Sequence, residues 1–121
     1  MTRERELALS DDAASHYLGN VGSVELTANE AAPDDAATAE ITLVRVAGAA
    51  VGVWEVRPGV LSGPTGDEAF VVLTGSATLS FPATGERHLI GPGDIVKLEP
   101  GEVVNWEVHQ TLRKVYAYGG D

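Results

Sequence analysis

From Ile41 onward the chain divides into short β-prone runs separated by turn residues at regular intervals. The runs are Ile41 to Val46, Ala50 to Arg57, Ala69 to Leu73, Ser76 to Phe81, Arg87 to Ile90, Asp94 to Leu98, Val103 to Val108 and Leu112 to Tyr118. Between them stand Ala47-Gly48, Pro58-Gly59, Thr74-Gly75, Pro82 to Gly85, Gly91-Pro92-Gly93 and Pro100-Gly101, residues that either reach positive φ or fix φ for a turn. Strands at this spacing, with no amphipathic helical pattern between them, predict an all-β antiparallel barrel or jelly roll.

Alternation within the runs predicts their faces. Ala77, Leu79 and Phe81 share one side of their strand while Ser76, Thr78 and Ser80 share the other, the pattern of a sheet with one solvated face. Val104, Trp106 and Val108 form the apolar side of the next long run, with Asn105 and Glu107 pointing away. The last run has no purely apolar side, because Lys114, Tyr116 and Tyr118 alternate with Arg113, Val115 and Ala117. If Lys114 faces the interior, it requires a carboxylate partner there. Lys97, between Val96 and Leu98, is expected outside.

Residues 1–38 read as an N-terminal arm preceding a barrel domain over 39–121. The arm is rich in Ala, Asp and Glu, with a possible short helix over Arg3 to Leu9 and another begun by Ser10 as N-cap before Asp11 and Asp12. Only Val24-Glu25-Leu26-Thr27 alternates like a strand, and Ala31 to Ala36 reads as a solvated loop. The arm is either a surface segment or the source of a strand exchanged with a partner subunit.

With 121 residues the chain has room for one core. Its net charge of −10 repels phosphate backbones and anionic lipid, so neither nucleic acid nor a membrane is an expected partner. The absence of cysteine excludes disulfides, thiolate metal sites and cysteine nucleophiles. Met1 to Glu6 lacks the apolar core of a signal peptide, and Val46 to Trp54 falls far short of the ~20 apolar residues that span a bilayer, so a cytoplasmic protein is expected.

Several of these segments together resemble a known pattern. Gly52-Val53-Trp54-Glu55-Val56-Arg57-Pro58-Gly59, then Asp67 through Gly75, Gly91-Pro92-Gly93-Asp94, Trp106-Glu107-Val108 and Arg113 through Tyr116 are similar to the small cupins of the ureidoglycine aminohydrolase and ethanolamine-utilisation type. The resemblance covers about Ile41 to Tyr118 and implies a cupin (RmlC-like) barrel. In metal-binding cupins two histidines one residue apart precede the glutamate; here that window holds Leu61, Ser62, Gly63 and Pro64. The second motif's ligand positions fall on Val104 and Val108. Of the ligand set implied by the resemblance only Glu68 is present, and one carboxylate does not make a transition-metal site.

No cofactor is therefore expected; a metal held by Glu68 with unorthodox ligands is the alternative. His16, His88 and His109 lack ligand spacing and read as structural or solvent-facing. Asp11-Asp12 and Asp34-Asp35 read as solvated charge, and no nucleophile elbow, phosphate loop or dinucleotide fingerprint occurs.

The resemblance points Glu68 into the barrel, where an unpaired carboxylate is pushed by desolvation towards its protonated form. Two roles follow: pairing with a cation such as Lys114 or Arg57, or general acid–base work on a small polar substrate, with Lys114 as its catalytic companion. Trp54, Trp106 and Tyr116 either wall the same cavity or belong to the core. Ser62, standing where a ligand histidine is expected, either hydrogen-bonds a ligand or belongs to a turn. The leading expectation is a cupin that binds a small polar metabolite. The alternatives are an isomerase, lyase or hydrolase using Glu68, and a structural or regulatory homodimer with a filled barrel; a homodimer is expected in any case from the exposed edges of a small β-fold.

Overall fold

The computed structural model describes residues 16–120. These form eight strands: β1 (Thr27–Ala28), β2 (Thr38–Val46), β3 (Ala49–Val56), β4 (Gly59–Pro64), β5 (Asp67–Phe81), β6 (Glu86–Ile90), β7 (Ile95–Leu98) and β8 (Val103–Gly120). The helices expected near Arg3 to Leu9 and after Ser10 lie outside the described residues. Among the described residues no helix is long and apolar enough to cross a membrane.

Two long strands organise the sheet, and each runs through what the sequence reads as a break. The expected turn at Thr74-Gly75 is a bulge inside the 15-residue β5, and His109 to Thr111 continue the 18-residue β8. The β5–β8 register shifts at Thr74 and again at Ser76, between which Gly75 adopts φ 89°. Such a bulge bends a strand and increases its twist. It thereby divides the antiparallel sheet into two halves. In one, the order is β1-β2-β3-β8-β5-β7, using Asp67–Thr74 of β5 and Arg113–Gly120 of β8. In the other, β4 and β6 flank Val103–Val108 of β8 and Ala77–Phe81 of β5.

The halves face one another as an open jelly roll, and among the described residues no pairing closes the sheet into a ring. The faces assigned by alternation are the observed ones: Ala77, Leu79, Phe81, Val104, Trp106 and Val108 are all buried, with Val56, Val72 and Leu112. β4 corrects the sequence pattern, which predicts no strand between Arg57 and Ala69. Its pairing with β8 hydrogen-bonds a segment whose Gly and Pro content weakens the strand signal.

The described part of the arm lies against the sheet. Thr27 and Ala28 pair with Glu40 and Ala39 of β2 in the same chain. Ala36 is buried and donates its backbone N–H to Val60 at 2.8 Å, while the Arg113 guanidinium bonds Glu55 at 3.0 Å and the Val21 carbonyl at 2.9 Å.

Candidate functional site

The inward face of the first half-sheet carries three rows of side chains set by strand register. Glu40, Trp54, Lys114 and Val72 form one row across β2, β3, β8 and β5. Thr42, Gly52, Tyr116, Phe70 and Val96 form the next, and Arg45, Ala50, Tyr118, Glu68 and Leu98 the third. Regular alternation from Glu40 and Thr42 would bring Val44 inward. A register shift between Thr42 and Val44 inserts one residue and brings Arg45 inward instead.

These rows and Trp106 from the opposing half line a cavity of about 570 Å³. Its polar lining includes Glu40, Thr42, Arg45, Glu68, Lys114 and Tyr116, and its apolar walls are Trp54, Trp106, Leu98 and Ala50.

Lys114 is the centre of the site. Its residue is 5% exposed, and Nζ donates to Glu68 Oε2 at 2.7 Å. The same ammonium lies 4.1 Å from the ring centroid of Phe70, 4.4 Å from Trp54 and 5.2 Å from Trp106. Phe70 occupies the row between Lys114 and Glu68, so the two side chains meet above its ring. Trp54 and Trp106 pack at 5.3 Å between centroids and 55° between planes, joining the two half-sheets beside the pair. Burial pushes the Lys114 amine below the ordinary lysine range; the attraction and hydrogen bond of Glu68, and the charge of Glu40, oppose this.

Above the pair, the Tyr116 hydroxyl shares a 3.2 Å hydrogen bond with Thr42 Oγ1 and donates a longer one, 3.4 Å, to Glu40 Oε2. Burial raises the Tyr116 phenol above its ordinary range, the Thr42 bond works against the rise and the Glu40 carboxylate adds to it. Gly52 makes room for this ring: a Cβ there would stand 2.8 Å from the Tyr116 oxygen and 2.1 Å from the Ile41 carbonyl oxygen.

The structure thus brings together Glu68, Lys114, Trp54, Trp106 and Tyr116. Ser62 is elsewhere: it is exposed on β4, hydrogen-bonded to Asn105 across the β4–β8 ladder. The neighbouring Leu61 takes the inward direction and packs on the core. Arg57 is also exposed, and the cation beside Glu68 is Lys114. Lys97 is outside, bonded to Asp67 at 2.7 Å, and this bond holds its ammonium above the ordinary range. His88 bonds Glu86 at 2.8 Å and His109 bonds Thr78 at 2.8 Å, both at the surface.

Sequence reasoning missed Glu40, Thr42, Arg45 and Phe70. The two-residue spacing of Glu40 and Thr42 was a usable signal for one polar face. Arg45 was not legible, because its orientation depends on the bulge.

The donor set does not suit the metal of metal-binding cupins. Val104 and Val108 are buried hydrocarbon, and Glu68 is already engaged by Lys114. Among the described residues no group of three or more His, Cys, Asp and Glu side chains could hold an ion. A metal ion would also have to displace the Lys114 ammonium from Glu68.

A small antiparallel jelly roll with a polar cavity between its half-sheets is the architecture of a cupin. Residues 45–116 match the family model of the EutQ-like cupin domain, and the chain belongs to that family. Among solved structures, a protein of unknown function from Rhizobium leguminosarum is similar at 25% identity and TM-score 0.63, with 69% of this chain and 82% of that one covered. A putative ethanolamine utilization protein Q from Salmonella typhimurium is similar at 19% identity and TM-score 0.60, covering 70% and 72% of the two chains. The Clostridium difficile EutQ protein is similar at 13% identity and TM-score 0.68, covering 80% and 81%. No curated protein matches.

Proposed function

We propose that this cupin binds a small polar organic molecule in the cavity beside Lys114 and Glu68. The observation that carries this reading is the convergence of Glu40, Thr42, Arg45, Glu68, Lys114 and Tyr116 on an open space of about 570 Å³. That volume lies within the range of small-molecule sites, about 300 to 1,000 Å³. A barrel serving only as a scaffold would fill this space with side chains, since polar groups facing an interior void gain nothing in stability.

The lining also suggests the chemistry of the ligand. Glu40 and Glu68 accept hydrogen bonds, Thr42 and Tyr116 both donate and accept, and Arg45 offers a fixed cation. Together they suit a molecule bearing several hydroxyl or amine groups. A panel of amino alcohols, polyols, hydroxy acids and amino acids, screened by thermal shift, tests the reading. At least one compound is expected to raise Tm by several degrees, as mass action requires of a ligand selective for the folded state. Tyr116→Phe is expected to weaken that compound about 5- to 10-fold, the worth of one hydrogen bond, while leaving the fold intact. A panel that never shifts Tm would return the protein to the scaffold class.

The expected homodimer has a surface that suits it. Leu89 on β6 and Ile95 on β7 are 71% and 78% exposed, and in the described sheet each strand pairs only with β5. Light scattering is expected to give twice the chain mass, with Leu89→Glu shifting the population to monomer. A monomer at every concentration would defeat the proposal.

A further inference from the structure

We propose that Lys114 captures a small aldehyde or ketone as an imine within the cavity, with Glu68 relaying the protons. This rests on the reading of the cavity as a small-molecule site and names the substrate class that its innermost groups would take. Three features of the geometry lead to it. The amine is at the end of a side chain held among Phe70, Trp54 and Trp106, and Lys114 is one of the residues that line the cavity. A carboxylate oxygen lies 2.7 Å away, at the distance for direct proton transfer. Three aromatic rings enclose the amine and bury it, and burial is the condition under which a lysine yields its proton and becomes a nucleophile. The direction of the Lys114 shift agrees, since burial outweighs the attraction of Glu68 and Glu40.

The step balances without an outside reagent. Lys114 gives one proton to Glu68, and the freed nitrogen lone pair forms a bond to the carbonyl carbon while the carbonyl π pair moves to oxygen. Two protons that began on the Lys114 ammonium reach that oxygen, the first from the attacking nitrogen and the second returned by Glu68. Water then leaves with the C–O bonding pair as the nitrogen lone pair completes C=N. The third proton stays on nitrogen, so an ammonium and a carbonyl become an iminium and water with no change in charge. Glu68 is a carboxylate again and faces the iminium as it faced the ammonium. Tyr116 and Thr42, on the outer side of the pair, are placed to hold a hydroxyl of the bound carbonyl compound.

The sequence supplies its own control. Lys97 and Lys114 are the only lysines, and Lys97 is solvent-exposed and ion-paired with Asp67 and Glu99. The full-length protein would be incubated near neutral pH with glycolaldehyde and sodium cyanoborohydride, and the reduced adduct mapped by peptide mass spectrometry. The expected result is modification of Lys114 at least about tenfold faster than Lys97, because burial favours the free amine at Lys114 while the carboxylates beside Lys97 hold its proton. Glu68→Gln, if folded by circular dichroism, is expected to slow the Lys114 adduct at least about tenfold, the usual minimum for loss of an acid–base group being larger still. Adducts confined to Lys97 and the N-terminal amine would overturn the inference whatever the variant does. If amino alcohols or polyols raise Tm while Lys114 stays unmodified, the imine falls and the small-molecule site stands. If neither occurs, both fall.

Discussion

Lys114→Met is expected to lower the unfolding free energy by about 3 to 5 kcal/mol, the cost of leaving a buried charge without its partner. The partner is Glu68, whose carboxylate contacts the ammonium at 2.7 Å with only 14% of the side chain exposed. The loss belongs to the broken pair and not to the missing cation alone, so a second substitution should restore it. Lys114→Met combined with Glu68→Met replaces two desolvated charges by hydrocarbon, and such replacements are often neutral or stabilising by about 1 to 4 kcal/mol relative to the ion pair. Urea unfolding of the two single variants, the double variant and the wild type closes the cycle. A Lys114→Met loss below about 1 kcal/mol would show that water reaches and screens the pair.

The same variant should change the pH dependence. With the folded-state pKa of Lys114 lowered from 10.5, the unfolded chain holds the proton over the window between the lowered value and 10.5. More protons bound in the unfolded state means that stability rises with pH across that window, and the contribution is lost as pH falls through the folded pKa. Subtracting the Lys114→Met profile from the wild-type profile should therefore leave a positive slope below about pH 10. In the wild-type profile itself the raised Tyr116 phenol opposes this slope above about pH 10, since the unfolded tyrosine loses its proton first, and the subtraction removes that shared contribution.

Gly75→Ala should be comparably damaging, by about 2 to 5 kcal/mol when backbone strain and overpacking are taken together. Gly75 has φ 89° within the β5 bulge, and a Cβ there would lie 2.1 Å from the Thr111 carbonyl oxygen and 2.5 Å from the Leu112 Cα. Both obstacles are backbone atoms of β8, so no side-chain rotation relieves them. Relief requires β5 and β8 to separate where both strands pass between half-sheets, near Leu112, which is fully buried. Thermal unfolding should show a Tm drop of many degrees. Gly93→Ala serves as the comparison, because that turn glycine also has positive φ, 91°, but has no atom within 4 Å of the added Cβ. Equal losses at the two positions would mean that strain alone, and not the crossing of β5 with β8, sets the cost.

The outcome at Thr74-Gly75 shows why turn chemistry alone misjudges a long strand. Gly supplies positive φ equally to a turn and to a bulge, and the pairing of β8 across both Thr74 and Ser76 decides for the bulge. β4 was missed for a related reason. Val60 is its only residue of strong β propensity, and pairing with Val103–Val108 of β8 supplies the order that local preference does not.

The candidate site divides in the same way. The sequence by itself determined an all-β antiparallel fold, the inward faces of Ser76–Phe81 in β5 and Val103–Val108 in β8, and the requirement that an interior Lys114 have a carboxylate partner. These follow from period-two alternation and from the cost of burying an unpaired charge, both local properties of the chain. Only the tertiary structure decided that Glu68 pairs with Lys114 and not with Arg57, that Phe70 lies beneath the pair, that Arg45 turns inward and that Ser62 turns out. Those outcomes depend on register, where one inserted residue reverses every later side chain, and register is a relation between strands that no single strand encodes.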